Sequence, residues 1–131
     1  MTERLPYSKI APEGVGHLGK LEMYLRKSGL EHTLIELVKT RASQLNSCAF
    51  CLDMHTKDAR AAGETEQRLY ALSAWREAPF FTDRERAALA YTEALTLVAN
   101  GGVSDELYQE TAKHFTEKEL VDLTLAITAI N

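Results

Sequence analysis

The chain has 131 residues, with 15 basic against 19 acidic side chains and a net charge of −4. Both signs are spread along it, which excludes a phosphate-binding face and makes nucleic acid an unexpected partner. One domain of this length buries roughly two thirds of the surface its unfolded chain would expose, so it needs no covalent staple.

No apolar run is long enough to cross a bilayer. The opening MTERLPYSKIAPEG is polar and broken by prolines, which fits neither a signal nor a transit peptide, so a cytoplasmic protein away from membranes is expected. Almost nothing alternates with a period of two, and turn residues divide the chain into helices. The expected fold class is therefore all-α, in a single domain spanning 1–131 without internal repeats.

Residues 1–13 read as extended. A helix is expected from about Val15 to Ser28, carrying Leu18, Leu21, Met23, Tyr24 and Leu25 and stopping at Gly29. A second runs from about Glu31 to Leu45, with Leu34, Leu37, Val38 and Leu45 on one stripe. Asn46 and Ser47 break it, and Ser47 is the expected N-cap of a third helix from Cys48 to about Ala62, closed by Gly63. A helix from about Glu64 to Ala74 leads into the loop WREAPFF. Thr82 and Glu85 then form a capping box ahead of a long alanine-rich helix that reaches NGG at Asn100 to Gly102.

Ser104 is expected to cap a short helix ending near His114, and Thr116 with Glu119 repeats the capping box before ELVDLTLAITAIN. In that last segment Leu120, Val121, Leu123, Leu125, Ala126, Ile127 and Ile130 cannot all share one face, so its second face is expected to meet another subunit. Tyr70, Trp75, Phe80 and Phe81 are expected to fill core or interface, and Arg84, Glu85 and Arg86 to form a solvated face. His17, His32 and His114 belong to no constellation and are assigned to the surface or to caps.

The informative stretch is SCAFCLDMHTKD, Ser47 to Asp58, which holds both cysteines of the chain. In a reducing compartment a close thiol pair is more often catalytic or metal-binding than structural. On a helix Cys48, Cys51 and His55 fall within about 60° of one another. Residues three apart have Cα atoms roughly 5–6 Å apart, inside the window a disulfide tolerates. Helical side chains lean toward the N-terminus, which brings His55 over Cys51, while the unpaired N–H groups of the first turn favour thiolate at both sulfurs. Glu36, twelve residues before Cys48 and flanked by Ile35 and Leu37, approaches the same stripe if the two helices pack antiparallel.

Other chemistries draw on the same residues. Cysteines are also found as small buried hydrophobes, but a close pair at a helix start with a histidine one turn on is more specific than a lone cysteine. A zinc site would use Cys48, Cys51, His55 and Glu36, but Cys48 and His55 stand about 10 Å apart along the helix axis, and no second C-x-x-C is present. Covalent haem would want histidine where Leu52 stands. A cofactor-free lyase or isomerase acting through Glu36 and His55 would not need the sulfurs at all.

The run ELVKTRASQLNSCAFCLDMHTKDARAAGE, Glu36 to Glu64, resembles the core of the alkyl hydroperoxidase D family, within the carboxymuconolactone decarboxylase superfamily. The family pattern is a glutamate, eleven residues, C-x-x-C and a histidine four beyond, matched by Glu36, Cys48, Cys51 and His55, and a looser similarity reaches the end of the chain. The resemblance implies an all-α bundle of single-repeat subunits that assemble as homo-oligomers, with the active site near a subunit contact. It also implies a thiol peroxidase or disulfide oxidoreductase that needs no metal, flavin or haem. Its substrate would be a hydroperoxide and its reductant a dithiol, on a lipoyl-bearing or a thioredoxin-like protein.

In that family the residue matching Cys51 is the peroxidatic nucleophile, the one matching Cys48 resolves the sulfenic acid as a disulfide, and those matching Glu36 and His55 relay the proton. Helix geometry alone favours Cys48, the more N-terminal thiol, as nucleophile. Phe50 departs from the pattern of the best-studied members, which carry a second histidine there, and this implies weaker peroxidase activity or a disulfide reductase role. The decarboxylase branch generally lacks the cysteine pair.

Overall fold

The computed structural model of the chain describes residues 2–131 and contains, among them, eight α-helices and no strand. In chain order these are α1 (Tyr7–Ile10), α2 (Pro12–Arg26), α3 (His32–Leu45), α4 (Ala49–Ala61), α5 (Glu66–Ala71), α6 (Asp83–Thr96), α7 (Asp105–Ala112) and α8 (Glu117–Ile130). Single 3-10 turns at Leu72–Ala74 and Val98–Asn100 extend α5 and follow α6.

The organising element is α3, which packs against α4, α6 and α8. Leu34, Ile35 and Val38 on one side of α3 join Ala88 and Tyr91 of α6 and Leu120, Leu123 and Ile127 of α8 in the main core. Leu37, on another side, closes a second cluster with Leu72, Trp75, Phe81 and Leu89. A helix buried on several sides must satisfy its own polar side chains, and α3 does so. Thr40 and Ser43 donate to the carbonyl oxygens of Glu36 and Lys39, and the buried Lys39 ammonium is paired with Glu22 of α2.

Three of the expected N-caps form as read from the sequence. Both capping boxes form, at Thr82 with Glu85 and at Thr116 with Glu119, and Ser104 accepts the Leu107 N–H at the start of α7. Gly63, at φ 100°, closes α4. Other expectations are corrected. Residues 7–10 and 12–13 are helical rather than extended; α2 starts at Pro12, whose fixed φ suits the first turn of a helix and whose missing N–H costs nothing there.

Arg84, Glu85 and Arg86 are not a solvated face. The Arg84 guanidinium donates to both oxygens of Glu31, at 3.0 and 3.1 Å, and lies 4.1 Å from the centre of the Phe115 ring. Glu85 pairs with Arg68, and Arg86 donates to the carbonyl oxygens of Trp75, Arg76 and Ala78. These residues start a helix that must be tied to three neighbouring segments, a demand that a run of alternating charges does not reveal. Among the aromatics, Trp75 and Phe81 are buried, whereas Tyr70 is 78% exposed and fills no core in this chain.

Two carboxylates anchor the periphery. Asp122 of α8 is buried, which opposes its ionisation, but hydrogen bonds from Lys118 and from the Tyr24 hydroxyl, each 2.6 Å, hold its pKa below the ordinary range. That contact fixes α2 to α8. Glu93 of α6 receives Arg41 of α3, the Trp75 indole N–H and Arg76, at 3.0, 2.8 and 2.6 Å.

Candidate active site

The segment between α3 and α4 is two helix-end motifs sharing the same residues. The Ser47 N–H donates to the Gln44 carbonyl oxygen and the Cys48 N–H to that of Ser43, both at 3.1 Å, which satisfies the last carbonyls of α3. This pattern puts Ser47 in the left-handed region at φ 51°, a place that usually falls to glycine. Ser47 is thus the terminator of α3 and not the N-cap of α4. The N-cap is Cys48, whose sulfur accepts the Cys51 N–H at 3.3 Å.

Cys48 and Cys51 are joined in a disulfide, with Cα atoms 5.3 Å apart, inside the range that their spacing implied. Both are half-buried, and the exposed Phe50 and Met54 lie beside them on the outer surface of α4. His55 stands one turn beyond Cys51 and is buried, 6% exposed.

Its partner comes from α3. Glu36 Oε2 lies 2.8 Å from His55 Nδ1, with the two side chains 17% and 7% exposed. An imidazole held through Nδ1 by a carboxylate has its ring orientation set and keeps Nε2 for proton exchange. The α3–α4 hairpin thus brings Glu36 to His55, which lies one turn past Cys51 on α4. Arg26, His32, Ile35, Glu36, Asp58 and Ala62 line a cleft of about 240 Å³ beside the pair.

Asp58 is the member that sequence reasoning missed. Its carboxylate, one from Glu36 and a ring nitrogen of His55 lie within 4.8 Å of one another. The signal was available: Asp58 follows His55 by three residues, on the same helix face. The set weighed from sequence for zinc differs, since its two sulfurs are bonded to each other.

The family model for carboxymuconolactone decarboxylases matches residues 11–94, which takes in α2 to most of α6 and all of Glu36, Cys48, Cys51 and His55. The chain belongs to the carboxymuconolactone decarboxylase family. This family chain is 48% identical over 131 residues to the uncharacterized protein YdfG of Bacillus subtilis strain 168, covering all of itself and 89% of that protein. To the uncharacterized protein YnjA of Escherichia coli K12 it is 34% identical over 102 residues, covering 78% of itself and 56% of YnjA. Its fold superposes with a TM-score of 0.93 on the crystal structure of an Agrobacterium tumefaciens protein of unknown function, for which the name antioxidant defence protein AhpD has been suggested. That pair is 43% identical, and the match covers 98% of this chain and 88% of the other. The family chain is thus an all-α bundle of the alkyl hydroperoxidase D type. None of its described helices is long and apolar enough to cross a membrane.

Proposed function

We propose that this carboxymuconolactone decarboxylase family chain is a thiol-dependent peroxidase and disulfide oxidoreductase of the antioxidant type. The observation that carries the reading is the Cys48–Cys51 disulfide at the start of the helix whose next turn holds His55 against Glu36. A sulfur pair that closes without disturbing the helix, at a half-buried position, suits reversible oxidation better than structural bracing.

Cys51 as thiolate attacks the peroxide O–O bond and takes one oxygen as sulfenic acid, while the departing alkoxide takes a proton from His55 and leaves as an alcohol. The Cys48 sulfur then attacks the sulfenic sulfur, forming the disulfide and releasing water. An external dithiol opens that bond by exchange, leaving two protein thiols and an oxidised reductant. Glu36 holds His55 in the orientation that delivers and recovers the proton.

The partners proposed are a hydroperoxide and a dithiol carried by a lipoyl-bearing or thioredoxin-like protein, with no resident cofactor and a cytoplasmic setting. A homo-oligomer is part of the same reading. Leu18 and Met23 on α2 and Val121 on α8 are each more than half exposed, an apolar surface suited to a second copy. Steady-state peroxide consumption with dihydrolipoamide tests the function. Wild type turns over and Cys51→Ser does not, whereas equal rates for the two would overturn the proposal.

A further inference from the structure

The cleft beside Glu36 carries an inference that rests on the redox reading above. Glu36 and His55 are mostly buried, so the proton His55 delivers returns either from the Cys51 thiol or from solvent, and the cleft is the open route to solvent. Asp58 is exposed and, among the described residues, its carboxylate has no hydrogen bond or ion pair. The other charged and titratable groups of the cleft are Arg26 from α2 and His32 and Glu36 from α3. His32 Nε2 is engaged with the Arg26 carbonyl oxygen at 2.8 Å, and Glu36 with His55. Asp58 is therefore the unengaged carboxylate at the mouth.

Its separation from the pair is informative. Two hydrogen bonds of about 2.8 Å meeting at one water span roughly 4.5–5 Å, and the three groups lie within 4.8 Å of one another. The cleft is open to solvent and large enough for such waters. We propose that Asp58 is the port through which the buried Glu36–His55 pair exchanges protons with solvent. It acts through that pair and does not touch sulfur, so it is a positioning residue for protons.

The test uses the oxidised protein and reads opening of the Cys48–Cys51 bond by excess dithiothreitol in stopped flow, at neutral pH and low buffer concentration. Each departing thiolate takes up a proton, and this readout needs no peroxidase activity. Asp58→Asn is expected to open about tenfold more slowly, with Asp58→Glu restoring most of the rate. Added formate or acetate is expected to accelerate the asparagine variant and leave wild type unchanged. Equal rates for wild type and Asp58→Asn, or a slowed variant that small acids do not rescue, would overturn the port. Failure of the peroxidase reading would show elsewhere, as a wild type that opens its disulfide normally yet consumes no peroxide.

Discussion

Glu36 Oε2 and His55 Nδ1, on adjacent antiparallel helices, are 2.8 Å apart, and both side chains are largely shielded from solvent. The hydrogen bond commits one ring nitrogen to orientation and frees the other for chemistry. Removing the carboxylate charge should damage proton delivery and leave the fold intact. Glu36→Gln is expected to lower peroxide turnover about 100-fold while shifting Tm by only a few degrees. Parallel turnover assays and thermal melts check this, and full activity in the variant would remove Glu36 from the relay.

The disulfide closes a very short loop. Chain-entropy arguments give a cross-link of this span no more than about 2 kcal/mol of stabilisation, a minor part of what holds a domain of 131 residues. The dithiol form is therefore expected to stay folded, with Tm lower than the disulfide form by no more than roughly 8 °C. Thermal melts with and without reductant read the difference. A reduced protein unfolded at room temperature would make the bond structural.

Much of this site was legible in the residues themselves. Spacing placed Cys48, Cys51 and His55 on one helix, and an isolated glutamate in an apolar stretch pointed to a partner across the hairpin. The helix starts were equally readable, since Thr82–Glu85 and Thr116–Glu119 announce their caps by type and distance. What stayed hidden depends on tertiary contacts. Nothing around Lys39 in the sequence records Glu22, and only the packing of α2 shows that the lysine is buried against it. The Arg84–Arg86 run reads as solvent-facing because nothing local records Phe115, Glu31 or the carbonyl oxygens of the aromatic loop. Ser47 misled for a subtler reason. Serine is a common N-cap, and its use here as a left-handed helix terminator shifts the cap role by one residue, onto Cys48.

That last relationship has a measurable cost. A serine at φ 51° carries a steric penalty that glycine lacks, on the order of 1 kcal/mol. Ser47→Gly is expected to stabilise the protein by about 1 kcal/mol, raising Tm by a few degrees, with the Cys48–Cys51 spacing unchanged. Denaturant titration of both proteins checks the sign. A destabilised glycine variant would mean that the serine side chain contributes more than its backbone strain removes.

Acid stability should depend on Glu93. Burial opposes its ionisation, but hydrogen bonds from Trp75, Arg76 and Arg41 prevail and hold its pKa below the ordinary carboxylate range in the folded protein. A carboxyl group with a depressed folded pKa binds protons more readily in the unfolded chain, so its contribution is complete above pH 4.5 and fades as pH falls below that value. Glu85 works in the same direction: burial again opposes its charge, but Arg68 and the Thr82 N–H outweigh it. The denaturant midpoint is expected to hold between pH 7 and 5 and to drop below about 4.5, with a shallower acid slope in Glu93→Gln. An acid slope equal to that of wild type would place the acid sensitivity elsewhere.

The most direct test of the redox account is a single-turnover oxidation followed by mass spectrometry. Reduced protein receives one equivalent of an organic hydroperoxide, and a sulfenic-acid trap is added to a parallel sample of Cys48→Ser. The expected result is a Cys48–Cys51 bond in wild type and trapped sulfenic acid on Cys51 in the variant. Sulfurs that remain fully reduced, or a trap adduct absent from Cys51, would contradict it.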